Sequence, residues 1–124
     1  MAEILRAISI RQPYAELILR GTKPAEYRSR RTNIRERVYI YASLRPADDT
    51  SGWRKVGREP GQLPTGVIVG SVEITACKVR RRGKNLDFAY ALRNPKRFRN
   101  ALLPTNQPQP GFWRPRFKKE RRQI

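Results

Sequence analysis

The stretch RQPYAELILRGTKPAEYR (Arg11–Arg28) decides how this chain starts its fold. Pro13 suits a first helical position, where its missing N–H costs nothing. Tyr14, Leu17 and Ile18 follow at i, i+3 and i+4, one apolar face of a helix of about two turns. Glu16 and Arg20 are spaced as an i, i+4 ion pair on the exposed side. Gly21 supplies a left-handed stop. Pro24 then forbids a continued helix, so PAEYR is extended. In a strand, Glu26 and Arg28 share one face while Ala25 and Tyr27 share the other.

Strands flank this helix–strand unit. ILRAISI (Ile4–Ile10) is rich in β-branched residues, and ERVYIYAS (Glu36–Ser43) carries Val38, Tyr39, Ile40 and Tyr41 in succession. Residues 44–66 read as a long Gly- and Pro-rich loop with one helical turn. GVIVGSVEITACKV (Gly66–Val79) is the strongest strand signal, with Gly70 marking a bulge or bend. KVRRRGK turns, and DFAYALRN (Asp87–Asn94) alternates as a strand. A helical turn is expected after Pro95, and QPGFWRP (Gln109–Pro115) forms a last edge segment. The expectation is an α+β domain: five or six mostly antiparallel strands in a small closed or nearly closed β-barrel, an early helix at about 13–20, and one or two short helical turns. Residues 1–114 make the single domain, and 115–124 a basic, flexible tail.

Composition restricts the chemistry. Among 124 residues there are 28 Lys+Arg against 10 Asp+Glu, a formal charge of +18. Such a field attracts polyanions at long range, nucleic acid foremost. Histidine is absent and Cys77 is alone. Ser-His-Asp and Cys-His catalysis are therefore excluded, as are intrachain disulfides and cysteine- or histidine-based metal sites. No metal and no cofactor is expected. No signal-peptide form and no apolar run of membrane-spanning length occurs, which points to a cytoplasmic protein without a membrane partner.

Joined together, these residues resemble a known family. SIRQPYAELILRGTKPAEYRSRRT is similar to the opening of ASCH domains, members of the PUA-like superfamily. Ser9, Gln12, Pro13, Tyr14, Ala15 and Ile18 match the S-I-x-Q-P-[WY]-A-x-x-I pattern, and Gly21, Lys23, Glu26 and Arg28 match G-x-K-x-x-E-x-R. The likeness runs from residue 4 to about 114. It implies a PUA-like barrel with a cleft beside the first helix and a role with nucleic acid, RNA favoured over DNA, in association with the ribosome or the transcription machinery. Some small bacterial relatives remove the acyl group from N4-acetylcytidine. Lys23 matches their lysine, but Glu26 stands where they carry threonine, and no further glutamate can be placed. Others of the family are ribonucleases, and only the lysine carries over.

Three roles are open for Lys23, Glu26 and Arg28: a nucleic-acid-binding pocket first, an ion pair tying helix to barrel second, catalysis with Lys23 as proton donor and Glu26 as base third. The arginines Arg30, Arg31 and Arg35 beside the motif and Arg80, Arg81 and Arg82 further on suit phosphate recognition. A third basic cluster spans Arg114–Arg122. Tyr14 and Trp53 are the base-stacking candidates, and core packing is expected of the other aromatics.

Overall fold

The computed structural model describes residues 3–118. Its elements run β1 (Ala7–Ile10), α1 (Tyr14–Leu19), β2 (Ala25–Arg28), β3 (Arg37–Ala42), α2 (Thr50–Val56), β4 (Val67–Arg82), β5 (Asn85–Leu102) and β6 (Phe112–Trp113). One six-stranded sheet has the order β2-β5-β4-β3-β1-β6. The β1–β3 pair is parallel, and all others are antiparallel. No helix among the described residues is long and apolar enough to cross a membrane.

Strand β3 explains why the sheet is covered on both faces. Val38 and Ile40 point into one apolar cluster with Ile8, Ile10, Ile18 and Val72. Tyr39 and Tyr41 point into a second, with Ile68 and Trp113. Alternation sends each set to its own side. Tyr41 meets Trp113 edge-on at 5.3 Å, and Tyr39 meets Phe117 at 6.2 Å. Phe117 lies in the stretch expected to be a flexible tail, yet Pro115 is buried and the Thr105 N–H donates to Arg116 O at 2.7 Å. The chain thus packs on the sheet as far as Phe117; Lys119, Arg121 and Arg122 of the third cluster lie outside the described residues.

The sheet is curled but open, which corrects the expected closed barrel. Its edge strands, β2 and β6, have four and two residues and do not pair. So short a ladder offers few hydrogen bonds, and side chains span the seam instead. Arg28 Nη2 donates to Ser9 O at 2.5 Å, and the Tyr90 ring of β5 stacks on Phe112 of β6 at 6.1 Å.

Strand β5 continues where a helical turn was expected. Ser71 pairs with Lys96 and Glu73 with Arg93, so the Asn94–Pro95 pair bulges against one opposing residue. Asn94 takes a left-handed φ of 54°, and Pro95 sits where the ladder needs no N–H. Arg37 clamps the bulge, donating to Glu73 Oε1 and Asn94 O. The hairpin between β4 and β5 likewise forms later than expected, so Arg80–Arg82 belong to the strand. Gly70 does mark a register break.

In the long loop, α2 is a seven-residue helix. Asp49 caps it by accepting from the Gly52 N–H at 3.0 Å, and Gly57 closes it with φ 67°. Two charged or polar anchors hold α1. Gln12 is buried, donating to Pro64 O and accepting from the Glu16 N–H. Glu16 was expected to be exposed; it is 5% exposed and receives both Arg97 Nη1 and Nη2 at 2.8 Å and Arg20 Nε at 2.6 Å. The pairing with Arg97, 81 residues away, was invisible to the local i, i+4 rule.

Burial pushes the Glu16 carboxyl up, but the hydrogen bonds from Arg97 and Arg20 outweigh it and hold it below the ordinary glutamate value of 4.5. A depressed folded value means stability present above the unfolded value and lost as pH falls through the folded one. Glu16→Gln is therefore expected to flatten the loss of stability between pH ~5 and ~3, and to cost about 2–3 kcal/mol near neutrality, the worth of charge-assisted hydrogen bonds. Urea unfolding of both forms across that range checks it; parallel curves would remove Glu16 as the cause.

Candidate nucleic-acid interface

The end of α1, the turn at Gly21 and the edge strand β2 bring the GTKPAEYR residues together, with α2 as the facing wall. Between them lies a cleft of about 580 Å³ whose lining includes Tyr14, Arg20, Lys23, Tyr27, Asp49 and Lys55. Gly21, with φ 79°, turns the chain out of the helix and Pro24 keeps it from resuming, so Lys23 projects into this cleft rather than along α1.

Lys23 Nζ is the centre of the cleft. It donates to Ala25 O at 2.8 Å and lies 5.4 Å from the Tyr14 ring centroid and 4.8 Å from that of Tyr27. Both rings are within cation–π range. Glu26 Oε1 is 3.9 Å away, an ion pair but too long for a hydrogen bond. One of three ammonium protons is thus used, and two can face a ligand. Burial lowers the Lys23 pKa below the usual lysine range; Glu26 opposes this, while Arg80, Arg28 and Lys55 add to it.

The motif does not converge on one cleft. Glu26 is 8% exposed and sits behind β2, accepting from Arg28 Nε at 2.8 Å. Arg28 lines a second cleft, at the open seam, with Arg30 and Arg31. Glu26 therefore joins Lys23 on one side to Arg28 on the other. With Arg28 committed to Glu26 and to Ser9 O, the Glu26–Arg28 pair clasps β2 to β1.

The other residues named from sequence divide. Tyr14 is in the cleft, its hydroxyl donating to Asp49 Oδ2 at 2.7 Å. That hydrogen bond, then burial, pushes the Tyr14 pKa up to about 12, and the same bond holds Asp49 below the usual carboxylate range. Trp53 is not a displayed ring. It is 6% exposed, packs with Leu17 and Val56, and donates its indole N–H to Ala47 O at 2.9 Å. Tyr27, expected in the core, is 45% exposed instead. Arg80 stacks over it at 3.8 Å and is held bidentately by Asp87 at 2.8 and 2.6 Å. Asp87 in turn raises the Arg80 pKa, first through these hydrogen bonds. Arg80 thus fixes the Tyr27 ring. Arg30, Arg31, Arg35, Arg81 and Arg82 are exposed, with Arg35 Nη1 donating to the Thr32 and Ile34 carbonyls.

Sequence reasoning missed Tyr27, Asp49 and Lys55. Tyr27 was legible: it falls on the face of β2 opposite Glu26, and an edge strand next to a basic hairpin can expose that face. Asp49 and Lys55 belong to α2, whose position no local signal gives. Among the described residues, no group of three or more carboxylate or thiol side chains could hold a metal ion.

The family model of the ASCH domain matches residues 8–108, most of the chain and all of the Lys23 cleft. The chain belongs to the ASCH family. Its PUA-like fold is one often linked to nucleic-acid interaction. No curated protein matches. Two solved structures share the fold of this ASCH protein. ASCH from Zymomonas mobilis aligns with a TM-score of 0.64 at 17% identity, covering 90% of this chain and 87% of that one. A tyrosine-to-phenylalanine mutant of the Zymomonas mobilis protein gives 0.63 at 16%, covering 90% and 89%. At such identities the likeness carries the architecture and not the ligand.

Proposed function

We propose that this ASCH protein binds single-stranded nucleic acid, RNA in preference to DNA, with one base in the cleft between α1, β2 and α2. The observation that carries the reading is Lys23 Nζ lying between the Tyr14 and Tyr27 rings with two protons unspent. A base can pack against the exposed part of the Tyr27 ring while the Lys23 ammonium donates to its carbonyl oxygen or ring nitrogen. Lys23, Lys55 and Arg20 make the surroundings cationic, and the exposed Arg30, Arg31, Arg35, Arg81 and Arg82 supply phosphate contacts. Unpaired bases are favoured because only a base out of its stack offers a free face to an aromatic side chain.

Anisotropy of a labelled RNA of about ten nucleotides checks this. Tyr27→Ala is expected to weaken binding by about 1–3 kcal/mol, the worth of one base on an aromatic ring. Lys23→Ala should weaken it too, and Trp53→Phe should leave it unchanged if the fold holds. Equal affinities for wild type, Tyr27→Ala and Lys23→Ala would place the bases elsewhere.

One observation favours hydrolysis as a second reading: burial lowers the Lys23 pKa toward values useful to a proton donor. Glu26 does not support it as base, since it lies behind β2 and is engaged by Arg28. Turnover of RNA or N4-acetylcytidine by wild type and not by Lys23→Ala would promote this reading.

A further inference from the structure

The seam left by the unpaired edge strands is a second cleft, of about 430 Å³, at the far end of β2 from Lys23. Three of its ten lining residues are Arg28, Arg30 and Arg31, and none is acidic. Glu26, the nearest motif carboxylate, is turned to Arg28 and shielded. The arginine loop is fixed in place. The Tyr90 hydroxyl donates to Arg30 O at 2.6 Å, and Arg35 Nη1 donates to Thr32 O at 2.9 Å. Arg30 and Arg31 have no acidic partner among the described residues; Arg31 only rests over the Phe88 ring at 5.2 Å. Beside the loop, the Tyr90 and Phe112 rings stack at 16° with centroids 6.1 Å apart, an aromatic wall reaching into the cleft.

We propose that this seam is a separate nucleotide site, taking a base against Phe112 and its phosphate at Arg30 and Arg31. Cations without acids select an anion, and anchored backbone lowers the cost of holding it. An aromatic wall adds nothing for a bare anion but stacks a base. The volume falls within the range of small-ligand clefts, roughly 300–1,000 Å³. The proposal rests on the nucleic-acid reading of the protein, and gives a bound strand a second holding point beyond the Lys23 cleft. The ligand can be a free nucleotide or the phosphorylated end of a strand.

Backbone amide NMR with a nucleoside 5′-monophosphate tests it, with the bare nucleoside and inorganic phosphate as comparisons. Saturable shifts are expected at residues 28–32 and 111–112. Affinity should exceed that for nucleoside and for phosphate about tenfold or more, the difference made by a charge-assisted contact or a stacked base. Arg30→Gln with Arg31→Gln should lose about tenfold at these residues, and Arg58→Gln, exposed and outside both clefts, should bind the nucleotide as wild type does. An RNA with and without a 5′-phosphate separates strand end from free nucleotide. Absent shifts at residues 28–32 and 111–112, inorganic phosphate binding there equally well, or an unaffected double arginine variant would each overturn the proposal. Failure of the Lys23-cleft reading would look different: oligonucleotide binding insensitive to Tyr27→Ala, whatever the mononucleotide does.

Discussion

Affinity for single-stranded RNA is expected to fall about a hundredfold between roughly 50 and 200 mM salt. The slope of log affinity against log salt is about −0.7 per neutralised phosphate for single strands. Arg30, Arg31, Arg35, Arg81 and Arg82 are exposed arginines of the first two basic clusters. If each neutralises one phosphate, the slope is about −3.5. Arg80 is left out because Asp87 already holds it. Arg81→Gln with Arg82→Gln should therefore reduce the slope by about 1.4, whereas Arg80→Gln should act through Tyr27 and leave the slope nearly intact. Anisotropy titrations at four or so salt concentrations measure all three. A slope shallower than about −1, or no RNA binding at low salt, would refute the electrostatic account.

Gly70→Ala is expected to destabilise the fold by about 3 kcal/mol or more, the upper end of what overpacking costs. Here β4 passes beneath α1 and beside β5. A methyl group at Gly70 would collide with Lys96 O, with Leu19 Cδ2 at 2.6 Å and with Arg97 Cα at 3.2 Å. Two of these are backbone atoms that cannot rotate away. The same register carries Arg97 to Glu16, since Gly70 pairs with Arg97 across the ladder. Moving β5 to relieve the clash would also loosen the ion pair that Arg97 makes with the buried Glu16. The melting temperature should drop by about 10 °C, given roughly 2–8 °C per kcal/mol for domains of this size range. Leu19→Ala in the Gly70→Ala background should recover only part of the loss, because the clash with the Lys96 carbonyl remains. A Gly70→Ala protein within about 0.5 kcal/mol of wild type would show that the close approach is not needed.

The elements that could be read locally share a property: their signals lie within one turn or one strand. Pro13, the Tyr14–Leu17–Ile18 face and Gly21 bound α1 to within a residue. The β-branched and aromatic run of β3 declared a strand, although its burial on both faces became visible only with Trp113 and Phe117 in place. Pro95 misled because a proline in a strand is tolerated at a bulge, and the bulge depends on the opposing residues of β4. Trp53 misled because its loop is basic, while its burial is decided by where α2 docks on Leu17.

The amino-acid sequence by itself determined the family, the helix–strand order at the start, the +18 charge and the absence of histidine chemistry. Each of these is a matter of residue type or short spacing. Only the tertiary structure decided that the sheet stays open, that Glu16 is buried against Arg97, and that the Lys23–Glu26–Arg28 motif is split between two clefts with its carboxylate behind the strand. These depend on contacts between residues far apart in the chain, such as Arg28 with Ser9, Arg97 with Glu16 and Tyr90 with Phe112. Strand pairing and side-chain closure set those distances, and no local pattern encodes them.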